Sequence, residues 1–437
     1  QLSWNDMCET LSKSDPDIIG ITTHTRVLRS AFELAIKSKE YYPRVLVVLG
    51  GHGTFTIEEQ ILRRIESVDI IVRGEGEETM VELADALEEG RSIGEILGVC
   101  FKRSEGNVVI NPPRPFIQNL DLLPFPARHL LPMTSYIRER FSGILGRESF
   151  KGTALISSRG CPFSCVFCAA TKFYGHRWRP RSAENVIDEI EHLYLSYKKL
   201  GLNGFVVADD NFLVDPKRVM KICDFLIDRG LSHLKWMCDA RVDSAEEKLY
   251  SKMYEAGCRV LAFGIESGND KVLRLIKKGI TTDMVRRAVK IAKSVGLKIW
   301  GYFLFGLPGD TDETIMDTIR FSEELDLDNV EIHPVQMYPG TEMGREQNID
   351  WLNFLIEEEL HEDVGQQTGF AGFHPCVPTY SDRDRMKTIM TYITRRQNLQ
   401  RMRKKSITNL VYYGLTRPKK ALEYLFNRMR TRDRLPQ

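Results

Sequence analysis

The sequence is poor in several things that would have fixed its class at once. No run of uncharged apolar residues approaches the ~18 needed to cross a bilayer, so no membrane-spanning helix is expected. Gln1 opens no basic-then-apolar leader, so a signal peptide is not visible, although the sequence also lacks an initiator Met. Cysteine is sparse, with nine residues at irregular spacing in 437, which is unlike the short, Cys-dense scaffolds of secreted proteins. A reducing cytoplasmic setting is the expectation. There is no excess of one charge either, with 61 Lys+Arg against 60 Asp+Glu. The balance hides an asymmetry, because residues 395–437 hold 13 Lys and Arg against only Glu423 and Asp433. The body is therefore acidic, and a nucleic-acid partner is not expected. What is present is ordinary for a folded protein: 42% apolar and 28% charged residues, in enough chain for about three domains.

Short apolar runs alternate with helical periodicity along most of the chain. Residues 17–22, 45–51 and 69–72 read as buried parallel strands, separated by helical patterns at 27–41 and before a helix at 77–89. Residues 98–110 read as a hairpin turning at Glu105-Gly106-Asn107. Six prolines between Pro112 and Pro132 then break the pattern and mark a linker. A second series follows, with strands at 153–158, 204–209, 235–239, 259–265, 297–305 and 329–335 and helices between them. Six βα-type units are too few for a closed eightfold barrel and suit an open, partial one. Residues 346–437 contain no convincing strand and end in helical, basic sequence.

The sharpest motif is Cys161-Pro162-Phe163-Ser164-Cys165-Val166-Phe167-Cys168, in the loop after the first strand of the second series. Three thiolates can bind metal but leave a position open. A structural zinc would need a fourth ligand, for which His176 is a candidate. A four-iron cluster held by three cysteines leaves one iron free for a ligand. The other cysteines (Cys8, Cys100, Cys223, Cys238, Cys258 and Cys376) read as inert core residues.

With this loop, residues 150–345 resemble the radical S-adenosylmethionine (radical SAM) superfamily. The resemblance implies that Cys161, Cys165 and Cys168 hold a [4Fe–4S] cluster whose open iron binds S-adenosylmethionine. One-electron cleavage would give a 5′-deoxyadenosyl radical that abstracts a hydrogen atom. Phe167 matches the aromatic that packs near the adenine. Asp209-Asp210 stand where the family often has Gly-Gly-Glu beside the methionine amino group, which is a departure. Glu266-Ser267, in Gly264–Gly268, match a segment that meets the ribose or carboxylate, and Gly306, in Gly301–Gly309, matches the segment near the adenine. Tyr338–Thr341 match the end of the sixth strand, and Arg241 could clamp a carboxylate. Ser182, after Trp178-Arg179-Pro180-Arg181, reads as a helix N-cap.

Upstream, Ile19–His24 and, 25 residues on, Gly50-Gly51 resemble two signatures of cobalamin-binding Rossmann-like domains. The resemblance places Thr22, Gly50 and Gly51 along the slot for the nucleotide tail, with neither His24 nor His52 at a cobalt-ligand position. Arg73-Gly74-Glu75-Gly76-Glu77 recurs in the class that joins such a domain to a radical SAM barrel. The expected α/β organisation is a cobalamin-binding-type Rossmann-like domain over 1–111, lacking its first strand, and a Pro-rich linker over 112–149. A partial (βα)6 radical SAM core over 150–345 and a helical basic region over 346–437 complete it. Cobalamin binding is expected to be weak in this chain, because the first strand and its loop would fall ahead of Gln1 and residues 1–14 read as a helix.

The resemblance implies cobalamin-dependent methyl transfer to an unactivated carbon of a small molecule or lipid. A radical cyclase or oxidase of tetrapyrrole type is the alternative, and a non-catalytic iron–sulfur protein is an alternative of another class. A flavodoxin or ferredoxin is the expected electron donor. The apolar stripes Ala421, Leu422, Leu425, Phe426, Met429 and Ile407, Leu410, Val411, Leu415 would let basic helices lie on an anionic membrane.

Overall fold

The computed structural model describes residues 4–13, 15–103, 106–140, 149–345, 349–353, 388–389 and 391–393. Two α/β units follow one another in the chain. The first is a five-stranded sheet in the order β1 (Ile18–Thr22), β2 (Leu46–Gly50), β3 (Ile70–Val72), β4 (Val99–Lys102) and β5 (Val108–Ile110). The first three strands run parallel, and β4 and β5 add an antiparallel hairpin. Val47, Val48 and Leu49 are all buried because both faces of β2 are covered. Val47 and Leu49 pack with Leu28, Phe32, Ile61 and Leu62 on one side, and Val48 with Ile70, Leu83 and Ala86 on the other. Among the described residues β1 is the outer strand and pairs only with β2.

The second sheet has seven strands in the order β14-β13-β12-β11-β10-β7-β6. Six are parallel: β7 (Phe150–Leu155), β10 (Gly204–Val207), β11 (Lys235–Ala240), β12 (Cys258–Glu266), β13 (Lys298–Phe305) and β14 (Asn329–Pro334). β6 (Arg138–Arg140) runs antiparallel on the outer edge of β7. The two remaining strands, β8 (Ser158–Arg159) and β9 (Arg179–Pro180), form a separate two-stranded ribbon. Alternation divides the residues of the large sheet. Phe205, Trp236, Phe263 and Phe303 face the helices in the main core, whereas Met237, Val260, Ala262 and Trp300 share the other face with Val206 and Tyr302. The result is an open half-barrel with its helices on one side.

Local signals set the helix starts. Ser182 accepts from the Asn185 amide at the head of Ala183–Tyr197, as its sequence position predicts. Asp215 caps Pro216–Asp228, and Thr311 and Thr314 form a reciprocal capping box at Asp312–Glu324. Two boundaries differ from the sequence reading. The expected strand at 153–158 is broken at Ile156-Ser157, and its last part turns away to form β8. The stretch read as linker to residue 149 contributes β6. Its prolines end at Pro132, and the charged 138–140 segment pairs with β7, where it covers an otherwise open edge.

No helix among the described residues is long and apolar enough to cross a membrane. The basic helical stripes between Ile407 and Met429 lie outside the described residues.

Candidate functional site

The cysteine loop is bracketed by the β8–β9 ribbon, in which Arg159 pairs with Arg179. Gly160 makes the first bend with φ +83°, and a Cβ there would lie 2.0 Å from the Arg177 carbonyl oxygen, so a side chain is excluded. Its N–H donates to Asp210 Oδ2 at 3.1 Å. Cys161, Cys165 and Cys168 are all free thiols, with Cys165 buried and the other two half-buried. The Cys168 amide donates to the Cys165 carbonyl, and Cys168 stands at the N-cap of the short helix Ala169–Phe173. The loop is stitched to the barrel at Val166, whose N–H donates to Ile276 O while its carbonyl accepts from Met343 N–H.

Among the described residues His176 does not converge with the thiols as a fourth ligand of one ion. Its Nδ1 lies 2.9 Å from the Phe163 carbonyl, which can only accept, so Nδ1 carries the proton and pins the loop. Burial pushes the Cys161 and Cys168 thiols up, Cys168 to about 11, and repulsion from neighbouring cysteines adds to it. A bound cation reverses that penalty by stabilising thiolates. Among the described residues no three His, Cys, Asp or Glu side chains converge as ligands of one ion. A single zinc would draw its sulfurs to about 2.3 Å. Three free thiols on one loop suit instead a cluster in which each thiolate takes a different iron.

The other singled-out residues gather at the carboxyl ends of the parallel strands, where α/β sheets carry their sites. Asp209 follows β10 and is buried. Its oxygens accept from Ser157 N, Ser157 Oγ and Ser158 Oγ, each at 2.6 Å, so it ties β10 to the break between β7 and β8. Asp210 faces the cysteine loop, and burial raises its carboxyl. Asp239, at the end of β11, is raised to about 6 by burial and by the charges of Asp209 and Asp210. Arg241 is already engaged: it stacks 3.6 Å from the Phe163 ring centroid, pairs with Asp243 at 2.8 Å and donates to Lys278 O. Glu266 sits at φ +70° after a register shift in β12 and pairs with buried Lys278 at 2.7 Å. Ser267 Oγ lies 3.1 Å from Thr318 Oγ1. Gly306 ends β13 in a turn held by Asp310, which accepts from the Leu307 amide. Phe167 is half-buried against the barrel core.

In the amino-terminal unit Thr22 is paired with Gly50 across β1 and β2. Gly51 has φ +92°, and a Cβ would lie 2.4 Å from Thr23 O and 3.1 Å from Thr22 Oγ1, so the three residues form one close-packed strand end. The next residue, His52, lies 4.1 Å from the Phe173 ring and 3.5 Å from Tyr174 Oη. Phe173 belongs to the helix that starts after Cys168, so the glycine-pair loop abuts the cysteine loop. Burial, with Arg159 and His24 nearby, lowers the His52 pKa and keeps its ring neutral at pH 7.

Sequence reasoning noticed Arg73–Glu77 without finding its partners. Glu75 accepts from Arg159 at 2.7 Å, from both terminal nitrogens of Arg179 at 2.8 Å and from the Ile117 amide at 2.8 Å. Ser157, Ser158 and Lys278 were also missed, because each acts on a residue far away in the chain.

Residues 1–84 match the B12 binding domain family and residues 155–322 match the radical SAM superfamily. An uncharacterized methyltransferase of Pyrococcus horikoshii is 39% identical over 78% of this chain and 72% of its own length. The anaerobic magnesium-protoporphyrin IX monomethyl ester cyclase of Rubrivivax gelatinosus is 31% identical over 74% of this chain, which spans 57% of the cyclase. In fold, the chain resembles the radical S-adenosylmethionine methyltransferase TsrM from Kitasatospora setae. The TM-score is 0.66 at 21% identity, over 78% of this chain and 67% of that one.

Two measurements test the electrostatics. Burial opposes ionisation of Glu75, but the hydrogen bonds from Arg179, Arg159 and Ile117 outweigh it and hold the carboxyl below its usual range. Glu75→Gln leaves Arg179 without its carboxylate partner and Arg159 with Glu77 alone, and should cost about 3–5 kcal/mol in denaturant unfolding at pH 7. Because the folded pKa is depressed, that difference should be present above about pH 4.3 and fade as pH falls through the folded value. Asp239 has the opposite sign, since its raised pKa makes ionisation destabilising as pH rises through about 6. Melting temperatures of Asp239→Asn, relative to wild type, should rise between pH 5 and pH 8.

Proposed function

From the premise that this chain belongs to the radical SAM enzymes that carry a B12-binding domain, we propose that it is a cobalamin-dependent methyltransferase acting on an unactivated carbon. The observation that carries this reading is the seating of the Gly50-Gly51-His52 loop against Phe173 and Tyr174, at the end of the short helix that follows Cys168. The residues that would hold the two cofactors are thereby brought into neighbouring loops. When bound, a [4Fe–4S] cluster with S-adenosylmethionine supplies a 5′-deoxyadenosyl radical, and methylcobalamin supplies the methyl group.

The protein's own residues do the rest. Cys161, Cys165 and Cys168 would ligate three irons as thiolates. Asp210 and Asp239 line the strand ends with carboxylates suited to an ammonium group, whereas Asp209 already serves the fold through Ser157 and Ser158. Glu266 and Ser267, with Gly306, bound the adjacent strand ends, and Phe167 supplies an aromatic face. Thr22, Gly50 and Gly51 offer a hydroxyl and a close backbone approach for a nucleotide tail. The working division is a B12-binding-type unit over 1–111, a linker that ends before β6, a radical SAM core from β6 to residue 345 and a carboxyl-terminal region. Reduction would come from a flavodoxin or ferredoxin.

Anaerobically reconstituted protein should carry about four irons and four sulfides, with visible absorption bleached by dithionite. With S-adenosylmethionine it should release 5′-deoxyadenosine, and Cys161→Ala, Cys165→Ala or Cys168→Ala should each reduce that to background while the protein stays soluble. Zinc without sulfide, or reduced protein that forms no 5′-deoxyadenosine, would overturn the reading. With methylcobalamin present, mass analysis distinguishes a product heavier by one methylene from the ring closure that a cyclase would give.

A further inference from the structure

A cleft of about 1040 Å³ runs between the helix Glu77–Glu88, the segment 120–136 and the carboxyl end of β7. None of Cys161, Cys165, Cys168, Asp210, Asp239 or Glu266 lines it. Its volume is at the top of the ~300–1,000 Å³ range of small-molecule sites.

The cleft collects apolar side chains that would ordinarily be buried. Val81 is 62% exposed, Ile156 51%, and Leu131 and Tyr136 46% each, and all four line this one opening. Scattered exposed apolar residues need no explanation, but a contiguous patch around a cavity marks a binding surface. Phe125 adds an aromatic to the wall, and its outer face is covered by Arg181.

The charges in the wall are committed elsewhere. Arg159 is engaged by Glu75 and Glu77, while Arg128 and Arg181 share Glu189. Glu78 and Glu82 are both taken by Arg114. The remaining lining carboxylate among the described residues, Asp85, is on an exposed turn of the helix. The wall thus offers no spare cation for a phosphate or carboxylate, and its one unpaired charge repels anions. An uncharged apolar group complements it.

One end of the cleft is functional ground. Ala208, in its wall, immediately precedes Asp209-Asp210, and Arg159 immediately precedes Gly160-Cys161. A chain lying in the cleft would present its head at the strand ends where the cysteine loop sits.

We propose that this cleft binds an uncharged hydrocarbon or isoprenoid portion of the substrate, which makes the substrate an extended apolar molecule. The proposal rests on the methyltransferase reading for what happens at the head, but not for binding itself. Nile red and geranylgeraniol serve as probes with the full-length protein. Nile red fluorescence should saturate at one site and be displaced by geranylgeraniol but at least tenfold less effectively by geranylgeranyl diphosphate. Val81→Glu and Ile156→Glu, each at a solvent-facing position, should weaken binding at least tenfold. Both should leave the far-ultraviolet circular dichroism, the iron–sulfur absorption and 5′-deoxyadenosine release unchanged. Absence of saturable binding, preference for the diphosphate, or unchanged affinity in both variants would overturn the proposal even if 5′-deoxyadenosine is formed. Normal binding without 5′-deoxyadenosine would sustain the cleft and overturn the enzymatic reading instead.

Discussion

The conformation of the cysteine loop depends on one buried carboxylate. Arg159 and Arg179 stand opposite each other across β8 and β9, where like charges repel. Neither the ribbon's two backbone pairs nor the stacking of Arg179 4.8 Å from the Phe116 ring offsets that repulsion in a desolvated setting. Glu75 does, by sitting between the two guanidinium groups with only 5% of its side chain exposed. It reaches them from the turn between β3 and the helix Glu77–Glu88, in the other unit of the protein. Since an ion pair of this kind gives little net stability but is costly to break, its value here is geometric. It fixes the two ends of the loop against the amino-terminal sheet.

Polarity is graded along the concave face of the half-barrel. Its inner part is Met237, Val260, Ala262 and Trp300, an apolar wall. Asp239 stands level with Ala262, and Asp209 and Asp210 follow the end of β10; burial and the neighbouring carboxylates raise the carboxyls of Asp239 and Asp210. Tyr302, beside Trp300 on the same face, has its phenol pushed up by burial and then by the charges of Asp239 and Glu331. A group carrying positive charge or hydrogen-bond donors is favoured at the rim, and apolar carbon further in.

Much of this was legible in the residues. The buried strands showed as short apolar runs because both faces of a parallel sheet are covered, and the cap residue Ser182 sits where its chemistry requires. β6 was not legible, since Arg138-Glu139-Arg140 has no apolar alternation and owes its strand state to the partner β7. The break after Leu155 escaped notice for a related reason. Ser157 and Ser158 carry no strong turn signal, and what bends them is Asp209, about 50 residues on. Glu75 stood inside a noticed motif, yet its partners lie 84 and 104 residues away. Short-range pattern reveals elements, whereas side-chain pairs between distant loops must be seen in the fold.

The ties between the two units also explain where the molecule is open. Glu75 joins them at the β8–β9 ribbon, and His52 and Phe55 join them at Phe173. A third tie returns from beyond the barrel, where Leu352 is buried in the amino-terminal core, Trp351 touches both cores and Asp350 pairs with Arg64 at 2.7 Å. Three separated contacts are enough to fix the orientation of two bodies. None of them runs along the outer flank of the helix Glu77–Glu88, where Val81 and Ile156 stay exposed on either side of the cleft. Closing that flank would have buried apolar surface at a gain of roughly 25 cal/mol per Å². Leaving it open gives up that stability, and a route from solvent to the end of β10 is what the open flank provides in its place.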